Sequence, residues 1–385
     1  MHVPRLLRLI GISTVALALL AGLPWAAGPG PLSASPSEPS SVGEAPRPGA
    51  TSIVPPPPEA VARLKEQGRQ LPPLHTLKAS PPGVTPQKRA GSVNLLAILV
   101  DFSDQPARVT GGVAGTAFDK LVFSPPGPGR GSVADYFAEV SYGNLTLVTL
   151  NMPSTMGWKR APQTYAYYVA GSYGMTPGNY PHNAGRMVED LLPLVDSAVN
   201  FADYDNDGDG AVDTLLVMHA GTGAEFSLSP NDIWSHAASI SLMGGTAQSL
   251  DGVTVDGYVT APEYWDPSLV PPGSAATDMT IGVICHEIAH GLFGLPDLYD
   301  LDTSSYGIGR WGLMSYGDWN GPLKWNPFTA QWITDGSSPA WPGAWDRLVM
   351  GIDTYSMVVS PMVASIPPVE AAPNMIGRFK SIGLR

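Results

Sequence analysis

Between residues 286 and 297 the chain reads His-Glu-Ile-Ala-His-Gly-Leu-Phe-Gly-Leu-Pro-Asp, and this stretch constrains its own shape tightly. Histidines four apart on a helix leave the same face one turn above each other, so His286 and His290 can reach one zinc ion. Gly294 favours the left-handed turn that ends a helix and Pro296 cannot continue one, so the chain must reverse just past His290. That reversal brings the next side chains back towards the two imidazoles. No histidine follows His290, and the only later glutamate is Glu370. The third ligand is therefore expected from Asp297, the first carboxylate after the turn, ahead of Asp300 and Asp302. Glu287, beside the first histidine, is suited to take a proton from a water that the metal has acidified, which implies hydrolysis. Taken alone, the motif also fits a helix with two hydrogen-bonded histidines.

A second cluster, Asp205-Asn-Asp207-Gly-Asp209-Gly-Ala-Val-Asp213, alternates carboxylates with glycines. Such a backbone can curl around a hard cation and present several oxygens, as calcium requires. Position twelve of the count is Leu216, so the stretch is not a complete EF-hand loop. Asp205, Asp207, Asp209 and Asp213 are the candidate calcium ligands, with a solvated acidic turn as the lesser alternative.

Along the chain, Arg5 and Arg8, the apolar run Leu9 to Leu23 and the small residues 26–28 read as a secretory signal peptide over residues 1–28. Residues 29–92 are rich in Pro, Ser, Gly and Ala and cannot bury a core of their own, which suits a propeptide or linker. Only Glu59 to Gln70 looks helical there. Lys88-Arg89 is a candidate cut site, and His75 is more plausibly a surface residue than an inhibitory ligand. Residues 93–360 suffice for one catalytic domain, with 361–385 as a C-terminal tail. Residues 29–92 hold seven basic and four acidic side chains, residues 93–385 hold 12 and 29. A basic prosegment on an acidic enzyme is compatible with docking, and no basic patch remains to hold nucleic acid. No later segment approaches a transmembrane length, so no membrane anchor is expected. The single cysteine, Cys285, allows no internal disulfide and should be a small buried residue behind His286.

The coarse pattern is α+β. Val93 to Val100 and Leu215 to His219 read as central strands and Leu145 to Asn151 as extended. Ala117 to Phe123, Val133 to Val140, Asn183 to Val199 and Met279 to Leu292 read as helices, the last carrying the paired histidines.

Several blocks resemble one family. His286 to Asp300, ending Gly-Leu-Pro-Asp-Leu-Tyr-Asp, is similar to the secreted immune inhibitor A-type metallopeptidases, a metzincin-like group of bacterial zinc proteases. So are Asn94 to Asp104, Ser132 to Asn144, Asp205 to Glu225, Ile233 to His236 and Gly307 to Trp319, in the same order. Together they cover most of residues 93–353. One departure is visible: Gly291, Leu292 and Phe293 separate His290 from the turn glycine, where metzincins have two residues. The resemblance implies a metzincin-like zinc peptidase domain with a twisted mixed sheet, an active-site helix and a lower subdomain. In that subdomain Met314 would form a methionine turn beneath the zinc, as a structural residue. Tyr316 would hydrogen-bond the tetrahedral intermediate. His219 and His236 lie in matching blocks but are not assigned to zinc. The resulting expectation is a secreted zymogen endopeptidase with one catalytic zinc and structural calcium, acting on proteins or peptides and held by its own propeptide. A calcium-dependent binding protein on an inactive protease fold, or a zinc amidase acting on cell wall, are the alternatives.

Overall fold

The computed structural model describes residues 52–67, 89–112, 115–123, 131–301, 304–353, 355–357 and 381–383. The expected signal peptide, His75, Lys88, Asp302, Glu370 and nearly all of the expected tail lie outside the described residues. No described helix is long and apolar enough to cross a membrane.

A mixed sheet of six strands is the frame. In chain order they are β1 (Ser52–Ile53), β2 (Leu96–Asp101), β3 (Lys159–Arg160), β4 (Leu215–His219), β5 (His236–Ser239) and β6 (Gly257–Pro262). Their spatial order is β1-β5-β6-β4-β2-β3. β6, β4, β2 and β3 run parallel, whereas β5 is antiparallel to both β6 and β1. Every residue of β2 and β4 is buried, as strands covered on both faces must be. Alternation decides which core each side chain enters: Leu95, Ala97 and Leu99 join one cluster, Leu96, Ile98 and Val100 the other.

Four helices position or seal the site. α1 (Pro58–Glu66) opens on a proline, whose missing N–H costs nothing in a first turn. α2 (Val133–Val140) begins with a capping box: Asp135 N–H donates to Ser132 Oγ at 3.1 Å, and Asp135 accepts from Ser132 N–H at 2.6 Å. α3 (Ala184–Val195) covers the second core, and α4 (Ile281–Phe293) packs with α2 in the first. The expected helices and strands are thus present, with ends shifted by a few residues. One expected strand divides: Gly91–Asn94 leaves the main sheet and pairs in parallel with Leu145–Val148, while Leu96–Asp101 forms β2.

Residues 52–67, expected to be part of a propeptide or linker, extend this frame. Ile53, Val54, Ala60 and Val61 are buried, and β1 completes the edge of the sheet beside β5. A segment too poor in apolar residues for its own core finds one in its host. At the catalytic border Arg89 is anchored, with only 7% of its side chain exposed. It donates to Leu292 O at 3.1 Å, at the end of α4, and pairs with Asp213 and Asp207.

α4 is seated by close backbone contact. Gly282 N–H donates to Gly336 O at 2.9 Å, and a Cβ on Gly282 would stand 1.9 Å from Asp318 O. Helix propensity alone favours alanine over glycine by about 1 kcal/mol. Overpacking against a carbonyl that cannot move costs roughly 1–3 kcal/mol or more. Gly282→Ala should therefore lower stability in denaturant titration, by about 1–3 kcal/mol; a stabilised variant would show that the helix is free to shift.

Candidate metal centre and peptide cleft

α4 ends where the sequence says it must. Gly294 has φ +64°, its N–H donates to His290 O at 2.9 Å, and Leu295 N–H reaches back to Ala289 O at 3.4 Å. The extra residue before this turn does not displace Asp297 from the centre. His286 Nε2 lies 3.2 Å from Asp297 Oδ1, His290 Nε2 3.1 Å from the same oxygen, and the two nitrogens are 3.0 Å apart.

Protons decide what this triangle means. His286 Nδ1 donates to Leu313 O at 2.9 Å and His290 Nδ1 to Leu295 O at 2.5 Å. With a ring hydrogen committed to Nδ1, an imidazole that carries no second proton turns its Nε2 lone pair towards the other ring and a carboxylate oxygen. Burial would raise the Asp297 pKa, and it is positive charge on His290 and His286 that outweighs burial and holds the carboxyl well below its ordinary range, a charge that a cation between the donors would supply instead. Three lone-pair donors at this spacing fit a divalent ion held by two nitrogens and one oxygen. The sides of the triangle are close to those of a tetrahedral set with bonds of about 2.0–2.1 Å. His219 and His236 stay outside this group. His219 Nδ1 donates to Ala220 O and His236 Nδ1 to Trp234 O; burial lowers both to about 4.

Glu287 is fully buried beside the triangle, and neither carboxylate oxygen has a hydrogen-bond partner among the described residues. Burial raises its pKa well above the ordinary value. Asp297, Glu225 and Asp318 reinforce the shift, while the Val54 N–H beside it favours the charge. The turn Leu313-Met314-Ser315 adjoins His286. Leu313 O holds His286, and Met314 O accepts from Leu298 N–H at 2.7 Å, which ties the turn to the chain after Asp297. Met314 is completely buried, as is Tyr316, whose ring packs against Tyr299 and Tyr306.

The cleft over the centre is filled by residues 53–57 of the chain itself. Tyr299 Oη donates to Ile53 O at 2.6 Å, Trp234 Nε1 to Val54 O at 2.8 Å and Trp319 Nε1 to Pro55 O at 2.7 Å. Val54 N–H reaches Ser235 O at 3.4 Å. Ser235 is itself fixed from behind, because Glu225 accepts from its N–H at 3.0 Å and its Oγ at 2.7 Å. Sequence reasoning assigned no role to Tyr299, Trp234, Trp319 or Glu225. The sole signal was their presence in family-like blocks, since their partners lie far away along the chain.

The acidic loop is assembled in part as expected. Asp205, Asp207 and Asp209 bring carboxylate oxygens within 4.8 Å of one another. Asp205 accepts N–H groups of Gly208, Asp209 and Gly210, which curls the loop. Asp213 is not in this group: it accepts from Asn206 and pairs with Arg89.

Burial lifts the Glu225 carboxyl to about 7, against the opposing Ser235 hydrogen bonds. The unfolded chain then ionises first, near the ordinary value, so stability falls as pH rises towards 7 and the full cost remains above it. The shift corresponds to roughly 3 kcal/mol. Glu225→Gln keeps an acceptor for Ser235 and cannot ionise. In melts from pH 4 to 8, the Tm advantage of the variant over the parent should grow up to about 7 and then level; a constant difference would rule out Glu225 as the titrating group.

Comparison with known proteins agrees with this geometry. Residues 86–337 match the family described as immune inhibitor A peptidase M6, catalytic domain. Immune inhibitor A of Bacillus thuringiensis subsp. alesti is 29% identical over 214 residues, a match covering 49% of this chain and 28% of that protein. The chain thus corresponds to under a third of that relative. The metal triangle, Glu287, Tyr299 and Met314 all fall within the family match, which spans well over half the chain; the chain belongs to the immune inhibitor A peptidase M6 family of metallopeptidases.

Proposed function

We propose that the chain is a secreted zinc endopeptidase made as a zymogen, with a metzincin-like catalytic domain. The observation that carries this reading is the convergence of His286 Nε2, His290 Nε2 and Asp297 Oδ1 on one another, beside a fully buried Glu287. A bound zinc would acidify a water and polarise a peptide carbonyl. Glu287 would take the water's proton and return it to the leaving nitrogen. The turn through Met314 would serve as the apolar floor of the site.

The zymogen part of the reading rests on residues 53–57, which fill the cleft while belonging to the segment before Arg89. In this reading residues 1–28 direct export and residues 29–92 form the propeptide. Residues 93–360 are the catalytic domain, followed by a tail over 361–385. Substrates are proteins or peptides, admitted once the segment leaves. Arg89 is held by two carboxylates and the end of α4, so activating cleavage falls before it.

Calcium in the loop of Asp205, Asp207 and Asp209 is the structural cofactor of this proposal, with Asp213 braced by Arg89 in place of a ligand role. Calcium should raise the Tm of the parent and fail to do so in the double variant Asp205→Asn, Asp209→Asn. An equal rise in both would place the ion elsewhere.

The decisive experiment measures casein hydrolysis and bound metal for the activated parent, Glu287→Gln and His290→Ala. Glu287→Gln should keep about one zinc and lose at least about 100-fold in kcat, while His290→Ala loses the metal. Zinc without hydrolysis in the parent would favour a binding role or another amide substrate. Absence of zinc would remove the centre.

A further inference from the structure

The way the N-terminal segment crosses the cleft assigns a residue of the reaction. β1 runs antiparallel to β5, with Ile53 paired to His236, so an extended peptide is added to the sheet edge. Its Ile53–Val54 peptide bond lies over the centre with both ends identified. The nitrogen end is beside Glu287, the group able to protonate a leaving amine, and also faces Ser235 O. At the carbonyl end, Ile53 O is 2.6 Å from Tyr299 Oη, two residues beyond Asp297 in the chain and within hydrogen-bonding reach of the Asp297 carboxylate.

We propose that Tyr299 is a catalytic residue: its phenol donates a hydrogen bond to the oxygen of the bond to be cleaved, as it does to Ile53 O. This rests on the endopeptidase reading above and adds a role that the motif did not carry. In hydrolysis, water adds to the carbonyl carbon and Glu287 accepts the water's proton. The new C–O bond forms as the carbonyl π pair moves onto oxygen. That oxygen is where Tyr299 Oη donates, and its charge is greatest there when the carbon is tetrahedral. Collapse restores the C=O, breaks the C–N bond and lets Glu287 hand its proton to the nitrogen. The products are a carboxylic acid and an amine.

Tyr316 stands behind Tyr299, with ring centroids 6.1 Å apart, and no hydrogen bond joins it to residues 53–57. The two tyrosines can therefore be separated by experiment. Tyr299 loses only a hydroxyl when changed to phenylalanine, so its ring packing against Tyr316 survives.

The test uses the full chain, activated by limited trypsin cleavage in residues 68–88, which contain Arg69, Lys78 and Lys88. Parent, Tyr299→Phe and Tyr316→Phe are compared for kcat and KM on one quenched peptide, for bound metal, and for affinity towards a peptide phosphinate that mimics the tetrahedral carbon. Tyr299→Phe should lose about 100- to 1,000-fold in kcat with KM nearly unchanged, as for loss of one oxyanion donor. It should bind the phosphinate correspondingly more weakly, hold the same metal, and differ from Tyr316→Phe in both respects. The proposal is overturned if Tyr299→Phe keeps kcat and phosphinate affinity, if its loss appears in KM or metal content, or if Tyr316→Phe shows the loss instead. If the parent itself cleaves nothing, the endopeptidase reading falls and takes this proposal with it.

Discussion

Two imidazole nitrogens and a carboxylate oxygen stand within 3.2 Å of one another, and the other nitrogen of each ring already gives its hydrogen to a backbone carbonyl. Such a cluster is repulsive without a cation, and the surrounding structure exists to hold it. Leu313 O and Leu295 O fix the tautomers by occupying Nδ1 of each ring, the same role that outer partners play around ligating histidines generally. Each carbonyl comes from a turn, one closing α4 and one beneath it. Leu298 N–H, bonded to Met314 O, joins the two turns. The geometry of the centre is thus set by main-chain groups, which are harder to misplace than side chains.

Around this cluster the protein buries more acidic groups than it pairs. Asp318 has both carboxylate oxygens buried without partners among the described residues, and burial raises its pKa well above the ordinary range. Glu225 and Glu287 are raised for the same first reason. A positive charge at the triangle would be felt by all of them at low effective dielectric, favouring their ionised forms. Stability and metal occupancy are coupled through these carboxylates, beyond the three donors themselves.

The elements were legible wherever residue patterns act locally. Val133 to Val140 and Leu215 to His219 have the bounds that their periodicity and caps dictate. Asp297 could be reached because Gly294 and Pro296 leave the chain one way to turn. In the near-continuous apolar run from Val93 to Val100 the one polar residue, Asn94, marks where the strand divides, but a single residue has no period to read. Tyr299 was invisible as a functional group because its partner, Ile53, lies 246 residues away. Glu225 was missed for a related reason: a buried glutamate declares itself through its surroundings. Composition marked residues 29–92 as too poor in apolar side chains for a core of their own, but it carries no information about a host for residues 52–57. Asp213 fitted the acidic spacing, yet Arg89 claims it.

The edge position of β1 has a consequence for behaviour in solution. In the proposed zymogen, release of residues 52–57 would make β5 the border of the main sheet and turn its unpaired N–H and C=O groups to open solvent. A bare edge pairs with any extended chain, including a second copy of itself. β5 is only four residues long, which limits the hydrogen bonds that a stray partner can form and so blunts aggregation. The same shortness should make self-association of a form lacking β1 weak and reversible.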